Sequence, residues 1–316
     1  MISLRYHIIS ITACFLALAI GVVLGSTALN GTLLSGLSDQ KKDLGTQVSD
    51  LEAQRNGLNA RLADADSFSG AMGQKIVAGQ LDKRSVILVT TEDAKPSDRD
   101  ALKQLIGQAG ATVTGELQLT EAFSDPAKAD QLRDVVTRLQ PAGSTFPTAG
   151  DPGTLAGALL GSTLLLNKDT AKPQSTPVEL AAALGGLTDG GFVKPSQNVK
   201  PGQLAVVLMG TQSTGDGAGD RASTLARMAT QLDRSGAGTV LAGDPGSAEG
   251  TGAIGVVRAD TAATSILSTV DNVDSSAGRI STILALKEQL DGASGRYGIA
   301  GSAQAPAPGV SAPTGN

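Results

Sequence analysis

Three aspartates stand just past short apolar runs. Asp93 follows "SVILVT", Asp244 closes "TVLAGD", and Asp271 follows "ILSTV" with Asn272 beside it. If those runs are parallel strands, their carboxyl ends share one edge of a sheet and the acids can gather in one crevice. Paired carboxylates there would work as general acid and base, or hold Mg²⁺. A small ligand or a cationic partner is the milder use of the same pocket. Against this stands the plain reading that short acidic side chains favour loops and helix starts in any fold. Asp93, Asp244, Asp271 and Asn272 are the candidate ligand or partner pocket, and no residue is assigned a catalytic role.

Two other stretches have the composition of a site. "GTQSTGDGAGDR", residues 210–221, falls between a strand and a helix, where a phosphate loop would sit. A Walker loop needs Lys and Ser or Thr directly after Gly215, but Asp216 and Gly217 stand there. A dinucleotide loop needs a third glycine where Asp220 stands. Two carboxylates would also repel phosphate. The expectation is a strand-to-helix loop with Asp220 as the helix N-cap. In "STVDNVDSSAGR", a calcium loop starting at Asp271 needs acids or amides at 273 and 275, Gly at 276 and Glu at 282. Val273, Ser275, Ser276 and Thr282 are found. Asp274 or Ser275 fits a helix N-cap instead.

Soft-metal chemistry has few donors. The chain has one cysteine, Cys14, one histidine, His7, and the methionines Met1, Met72, Met209 and Met228. His7 and Cys14, seven residues apart, share a helix face and could gather around a dimer axis to hold a metal in the membrane, but a soft-metal site within one folded domain has almost no ligands. No metal and no cofactor is assigned, and with no nucleophile motif in view the expectation is a non-enzyme. The net charge of −5 and a pI near 5.0 offer no basic surface, so nucleic acid is not an expected partner. Aromatics are 2% of the chain, against the aromatic girdles that a transmembrane barrel needs.

The elements that would position these residues begin with an anchor. "IISITACFLALAIGVVLGSTAL", residues 8–29, carries no charge. As a helix it spans roughly 33 Å, enough for a hydrocarbon core. Arg5 precedes it and the next cation is Lys41, which leaves residues 1–7 cytoplasmic and the bulk of the chain outside. A cleaved signal peptide is the competing reading, with "STA" at 26–28 as a faint cleavage site. The apolar run exceeds the usual signal core and favours a retained anchor. Gly21 and Gly25 have the spacing of a close helix–helix contact.

Residues 30–79 then follow a heptad. Leu37, Leu44, Leu51 and Leu58 repeat every seven residues as d positions, with Leu34, Lys41, Val48, Arg55 and Leu62 at a. Leu at d with mixed residues at a favours a parallel two-stranded coil. Its core would be Leu37, Leu44, Val48, Leu51, Leu58 and Leu62, and its product a homodimer. An amphipathic helix lying on its own domain is the alternative.

From residue 80 to 300 the period changes to short buried strands at 85–90, 111–119, 203–210, 239–244 and 266–270. Helices alternate with them at 96–110, 126–140, 221–236 and 277–290. The fold class is α/β, a mostly parallel sheet covered by helices on both faces. A sub-boundary near 195–202 leaves open one sheet or two lobes. Residues 301–316 have the composition of a disordered tail.

The opening "MISLRYHIISITACFLALAIGVVLGS", the heptads, "RSVILVT" and the closing "STVDNVDSSAGRISTILALKEQLDGASGRYG" occur in this order. Together they resemble the actinobacterial copper transporter family that includes mycobacterial copper transport protein B, over nearly the whole chain. The resemblance implies an envelope protein of copper efflux or homeostasis and an outer-membrane location. It also implies a link to daughter-cell separation through a membrane partner. The residues themselves describe an anchored, dimeric module, and a scaffold for peptidoglycan remodelling or cell separation is the alternative to the copper role.

Overall fold

The computed structural model describes residues 4–147 and 150–310. The chain forms two compact units, the first ending at Ala65 and the second beginning at Asp66.

Residues up to Ala65 are helical throughout their described length, within α1 (Leu4–Val77). The segment Leu4–Gly25 is long and apolar enough to cross a membrane. It begins four residues before the expected anchor because Arg5 interrupts neither the helix nor its apolar character. Beyond it, Leu37, Leu44, Val48, Leu51, Leu58 and Leu62 are each more than half exposed. Leu34 and the "STA" at 26–28 lie outside the residues whose side chains are described.

The second unit is built on one sheet of seven strands. β1 (Ser85–Thr90) and β2 (Thr112–Leu119) are joined through α2 (Pro96–Gln108). Pro96 suits the first turn of α2, where its missing N–H would have no partner anyway. The short α3 (Glu121–Ser124), then α4 (Ala129–Arg138), α5 (Pro152–Leu164) and α6 (Pro177–Asp189) lead to β3 (Val193–Pro195). β4 (Leu204–Met209), α7 (Ala218–Ser235) and β5 (Thr239–Gly243) follow. The chain then runs through α8 (Ala253–Ala259), α9 (Thr261–Thr264), β6 (Ser268–Val270), α10 (Ser276–Leu290) and β7 (Arg296–Tyr297).

The strand order is β3-β2-β1-β4-β5-β6-β7, and only β3 runs antiparallel to its neighbour. β1 pairs directly with β4, Val86 opposite Leu204 through Thr90 opposite Leu208. The candidate boundary near 195–202 therefore lies between strands of a single sheet, not between lobes. β4 is buried along its whole length and β1 from Val86 on, as strands covered on both faces must be.

One face carries α3 to α8 over a core that includes Phe123, Leu159, Leu187 and Phe192. The other carries α2, α10 and the end of α1, with Val77, Leu102, Ile106 and Ile283 inside. With so few aromatics, close backbone approach supplies part of the packing. α5 presents Gly153, Gly157 and Gly161 to α7, and a Cβ on Gly157 would fall 2.5 Å from the Met228 carbonyl oxygen.

Two expectations are corrected. Asp220 is not the N-cap of α7: the helix starts at Ala218 behind Gly217, whose φ of +72° is left-handed and open to glycine. Asp220 lies inside the first turn, where a carboxylate still complements the helix dipole. The tail is not structureless from residue 301 either. Gln304 N donates to the Arg296 carbonyl (2.8 Å) and Gly298 N to the Ala305 carbonyl (3.1 Å), so the chain folds back along β7. Backbone pairing of this kind needs no apolar side chains and leaves no mark in composition. Residues 311–316 lie outside the described residues.

Candidate functional site

The sheet has one topological switch point. From β1 the chain moves outward to β2 and β3, then returns past β1 to β4 and continues the other way. In open α/β sheets the crevice beyond the carboxyl ends of the two strands at such a point is the usual ligand site. Here it is a cleft of about 680 Å³. Leu119, Met209 and Leu225 give it an apolar floor, and Thr120, Ser124, Thr211 and Ser213 line its walls. Among the described residues, the carboxylates Glu92, Asp93, Glu121 and Asp125 line it, with Arg221 the one cation.

The Gly-rich strand-to-helix loop of residues 210–221 forms one wall. Arg221 staples it, donating from Nη1 to the Asp216 carbonyl (2.9 Å) and from Nη2 to the Thr214 carbonyl (2.6 Å). The Thr251 hydroxyl donates to the Ser213 carbonyl at 2.9 Å. The guanidinium is thus spent on backbone and is not aimed at an anion.

The four residues of the expected pocket go to four places. Asp93 lines the switch-point cleft, where its Oδ1 accepts from the Thr91 hydroxyl. Asp244, at the end of β5, pairs with Lys95 Nζ at 2.7 Å. Asp271 is buried against Arg258, with 2.5 Å between Oδ2 and Nη1, and its Oδ1 accepts from the backbone N–H groups of Ile299 and Ala300. Asn272 holds the start of α10: its Nδ2 donates to the Ser275 hydroxyl at 3.3 Å, and Ser275 caps the helix through the Gly278 N–H. Sequence position put the acids at one edge, but each is engaged by a different partner, Asp93 by Thr91, Asp244 by Lys95 and Asp271 by Arg258.

Around Asp244 a second charged group forms on the α2 and α10 side. Arg279 Nη1 reaches Asp98 Oδ1 at 3.2 Å and also donates to the carbonyls of Val273 and Asp274. Burial, and then the nearby Asp244 charge, raise the Asp98 carboxyl above its ordinary range, with Arg279 offsetting part of the shift. Asp274 is raised for the same two reasons. The hydrogen bond to Asp244, with its charge, raises the Lys95 ammonium. Asp66 on α1 accepts from both the Ser276 N–H (2.5 Å) and the Ser276 hydroxyl (3.1 Å), joining the helix end to this network.

Sequence reasoning missed Glu92, Glu121 and Asp125 at the cleft, and both arginines that neutralise the buried acids. Asp125 carried a signal, since it precedes Pro126 and caps the turn that follows. Arg258 carried none: its partner lies thirteen residues on, across α9 and β6.

Among the described residues no group of three His, Cys, Asp or Glu side chains is arranged to hold a metal ion. The soft donors are scattered. Cys14 is exposed on α1, Met209 borders the cleft and Met228 is buried in α7.

The comparisons with known proteins agree with one another. The family model for the copper transport outer membrane protein MctB matches residues 1–308. The copper transporter MctB of Mycobacterium tuberculosis (strain ATCC 25618 / H37Rv) is 41% identical over 303 residues, covering 94% of this chain and 96% of the relative. The protein of the same name from Mycobacterium leprae (strain TN) is 42% identical over 307 residues, covering 95% and 96%. With the match running from the N-terminal apolar helix to residue 308, the chain belongs to the MctB family of copper transport outer membrane proteins.

Proposed function

We propose that this chain is a non-enzymatic envelope protein, anchored by a single pass, whose α/β domain stands on the extracytoplasmic side on a parallel two-stranded coiled coil. The proposed role is the one its relatives' names carry, copper efflux or homeostasis. The observation behind the architecture is α1 itself. A helix that starts with a membrane-length apolar segment continues into a stripe of six exposed Leu and Val side chains at heptad spacing. Burying each such side chain is worth about 1.5–3 kcal/mol, so a lone helix in water leaves a large stabilisation unused. A second copy supplies the matching stripe, and the shared anchor direction makes the pair parallel. Arg5 before the apolar segment and the lack of cations until Lys41 support the orientation.

The donor set bears on how copper would be served. Cu(I) is held by thiolate, thioether or imidazole, and among the described residues no three His, Cys, Asp or Glu side chains are arranged to hold a metal ion. In this reading the copper role runs through an assembly with an envelope or membrane protein. The same observations favour a second reading, a dimeric scaffold that docks a membrane partner to control cell separation or peptidoglycan remodelling.

One genetic experiment separates them. A deletion strain is complemented with the intact chain or with a Leu44→Asp, Leu51→Asp variant that spoils the stripe. Copper-sensitive growth rescued only by the intact chain supports the copper role. Chained cells with normal copper tolerance support the scaffold. Rescue of both traits by the variant removes the coiled coil from either account.

A further inference from the structure

The switch-point cleft has a chemistry that the copper role does not use. Its carboxylates differ in what they already hold. Glu92 accepts from the Glu121 N–H at 3.1 Å and pairs with Lys194 at 3.3 Å, and these contacts hold its carboxyl below the ordinary range. Asp93 has the Thr91 hydroxyl and Asp125 the Ala127 N–H. Among the described residues, no Lys or Arg lies within ion-pairing distance of Asp93, Glu121 or Asp125. The only cation lining the cleft among the described residues, Arg221, is tied to two loop carbonyls. The cavity therefore presents negative charge and hydrogen-bond acceptors over an apolar floor. An anion such as phosphate would meet uncompensated repulsion, whereas a cation would be attracted at the mouth. The volume, about 680 Å³, is in the range of small-molecule sites.

We propose that this cleft binds an alkylammonium group. The aliphatic stem lies along Leu119, Met209 and Leu225, and the ammonium sits between Asp93 and Glu121. An ammonium offers three donors and no acceptor, which matches walls rich in carboxylate and hydroxyl oxygens. Two sources share this chemistry, a free diamine and the lysine side chain of a peptide. The inference does not depend on the coiled coil or on copper.

The test is calorimetric titration of the full chain in lipid nanodiscs with 1,5-diaminopentane, with N-acetyl-lysine methylamide, and with inorganic phosphate. One saturable amine site per chain is expected, with no phosphate site. Tighter binding of the diamine points to a free small molecule, and tighter binding of the lysine amide to a peptide. The Asp93→Asn, Glu121→Gln variant should weaken amine binding at least tenfold. Ser213→Trp, which fills the cleft and removes no charge, should abolish it. Thermal unfolding of each variant checks that the domain is intact. Amine binding that survives both variants, the absence of any saturable amine site, or a phosphate site lost in Ser213→Trp would each overturn the proposal.

Discussion

Arg258 Nη1 lies 2.5 Å from Asp271 Oδ2, and the two side chains are 2% and 1% exposed. Arg258 also donates to the Thr269 hydroxyl (3.0 Å) and to the Tyr297 carbonyl (2.8 Å), so the guanidinium ties α8 to the last two strands. Breaking a buried pair by removing one partner strands the other charge, at a cost of about 3–5 kcal/mol. Asp271→Asn should lose that much in urea unfolding, read from the fluorescence of buried Tyr297, one of only two tyrosines in a chain without tryptophan. The double change Arg258→Met, Asp271→Leu should cost clearly less than either single change. A double loss equal to the sum of the two single losses would mean the charges are not coupled.

Asp233 gives the domain a pH dependence of known sign. Its carboxyl accepts from the Thr239 N–H at 2.7 Å, but burial dominates and pushes its pKa up to about 7. Between the unfolded value near 3.8 and about 7, the folded chain holds the proton more tightly than the unfolded chain. Stability from this group is therefore complete below the lower value and is lost as pH rises through the upper one. Asp233→Asn keeps an acceptor for Thr239 and removes the titration. The wild-type chain should lose on the order of a few kcal/mol relative to this variant between pH 4 and 8. Parallel curves in urea unfolding across that range would refute the assignment.

Gly157 and Gly107 should respond to alanine with opposite signs. A Cβ at Gly157 would meet the Met228 carbonyl at 2.5 Å and the Gln231 Cβ at 2.8 Å, so α5 and α7 would have to move apart. Overpacking of this kind costs about 1–3 kcal/mol. Gly107 faces open space on α2, and alanine there should gain up to about 1 kcal/mol from helix propensity. Melting temperatures of the two variants should move in opposite directions.

The heptad carries its own prediction. In the proposed dimer Lys41 and Arg55 occupy a positions, where each faces its own copy. Replacing both with Ile should tighten self-association, seen in sedimentation equilibrium in detergent as a lower dissociation constant. An unchanged constant would place these residues away from the seam.

The long apolar strands were legible because both of their faces are buried, which gives β1 its Val-Ile-Leu-Val centre and makes β4 apolar throughout. β3 and β7 were not, since three and two residues are too few for any period. α8 and α9 were hidden in a Gly- and Ala-rich stretch whose packing depends on backbone contact. Strand ends located the acids correctly in the chain, yet which face each acid joins depends on partners such as Lys95 and Arg258, which come from other elements. The N-cap at Ser275 was readable because its spacing to Gly278 is local. The cleft was half readable: its Gly-rich wall stood out, while Glu92, Glu121 and Asp125 looked like ordinary loop acids.

The two ends of the sheet limit how anything can join this domain. At one edge β3 is three residues long and ends in Pro195, which has no N–H to offer, with exposed Lys194 beside it. At the other, residues 304–305 already lie along β7. Among the described residues, the edge elements are thus a three-residue strand ending in proline and a short return of the chain along β7. Such short, proline-ended or self-covered edges disfavour recruitment by strand addition and leave side-chain surfaces as the larger area open to a partner.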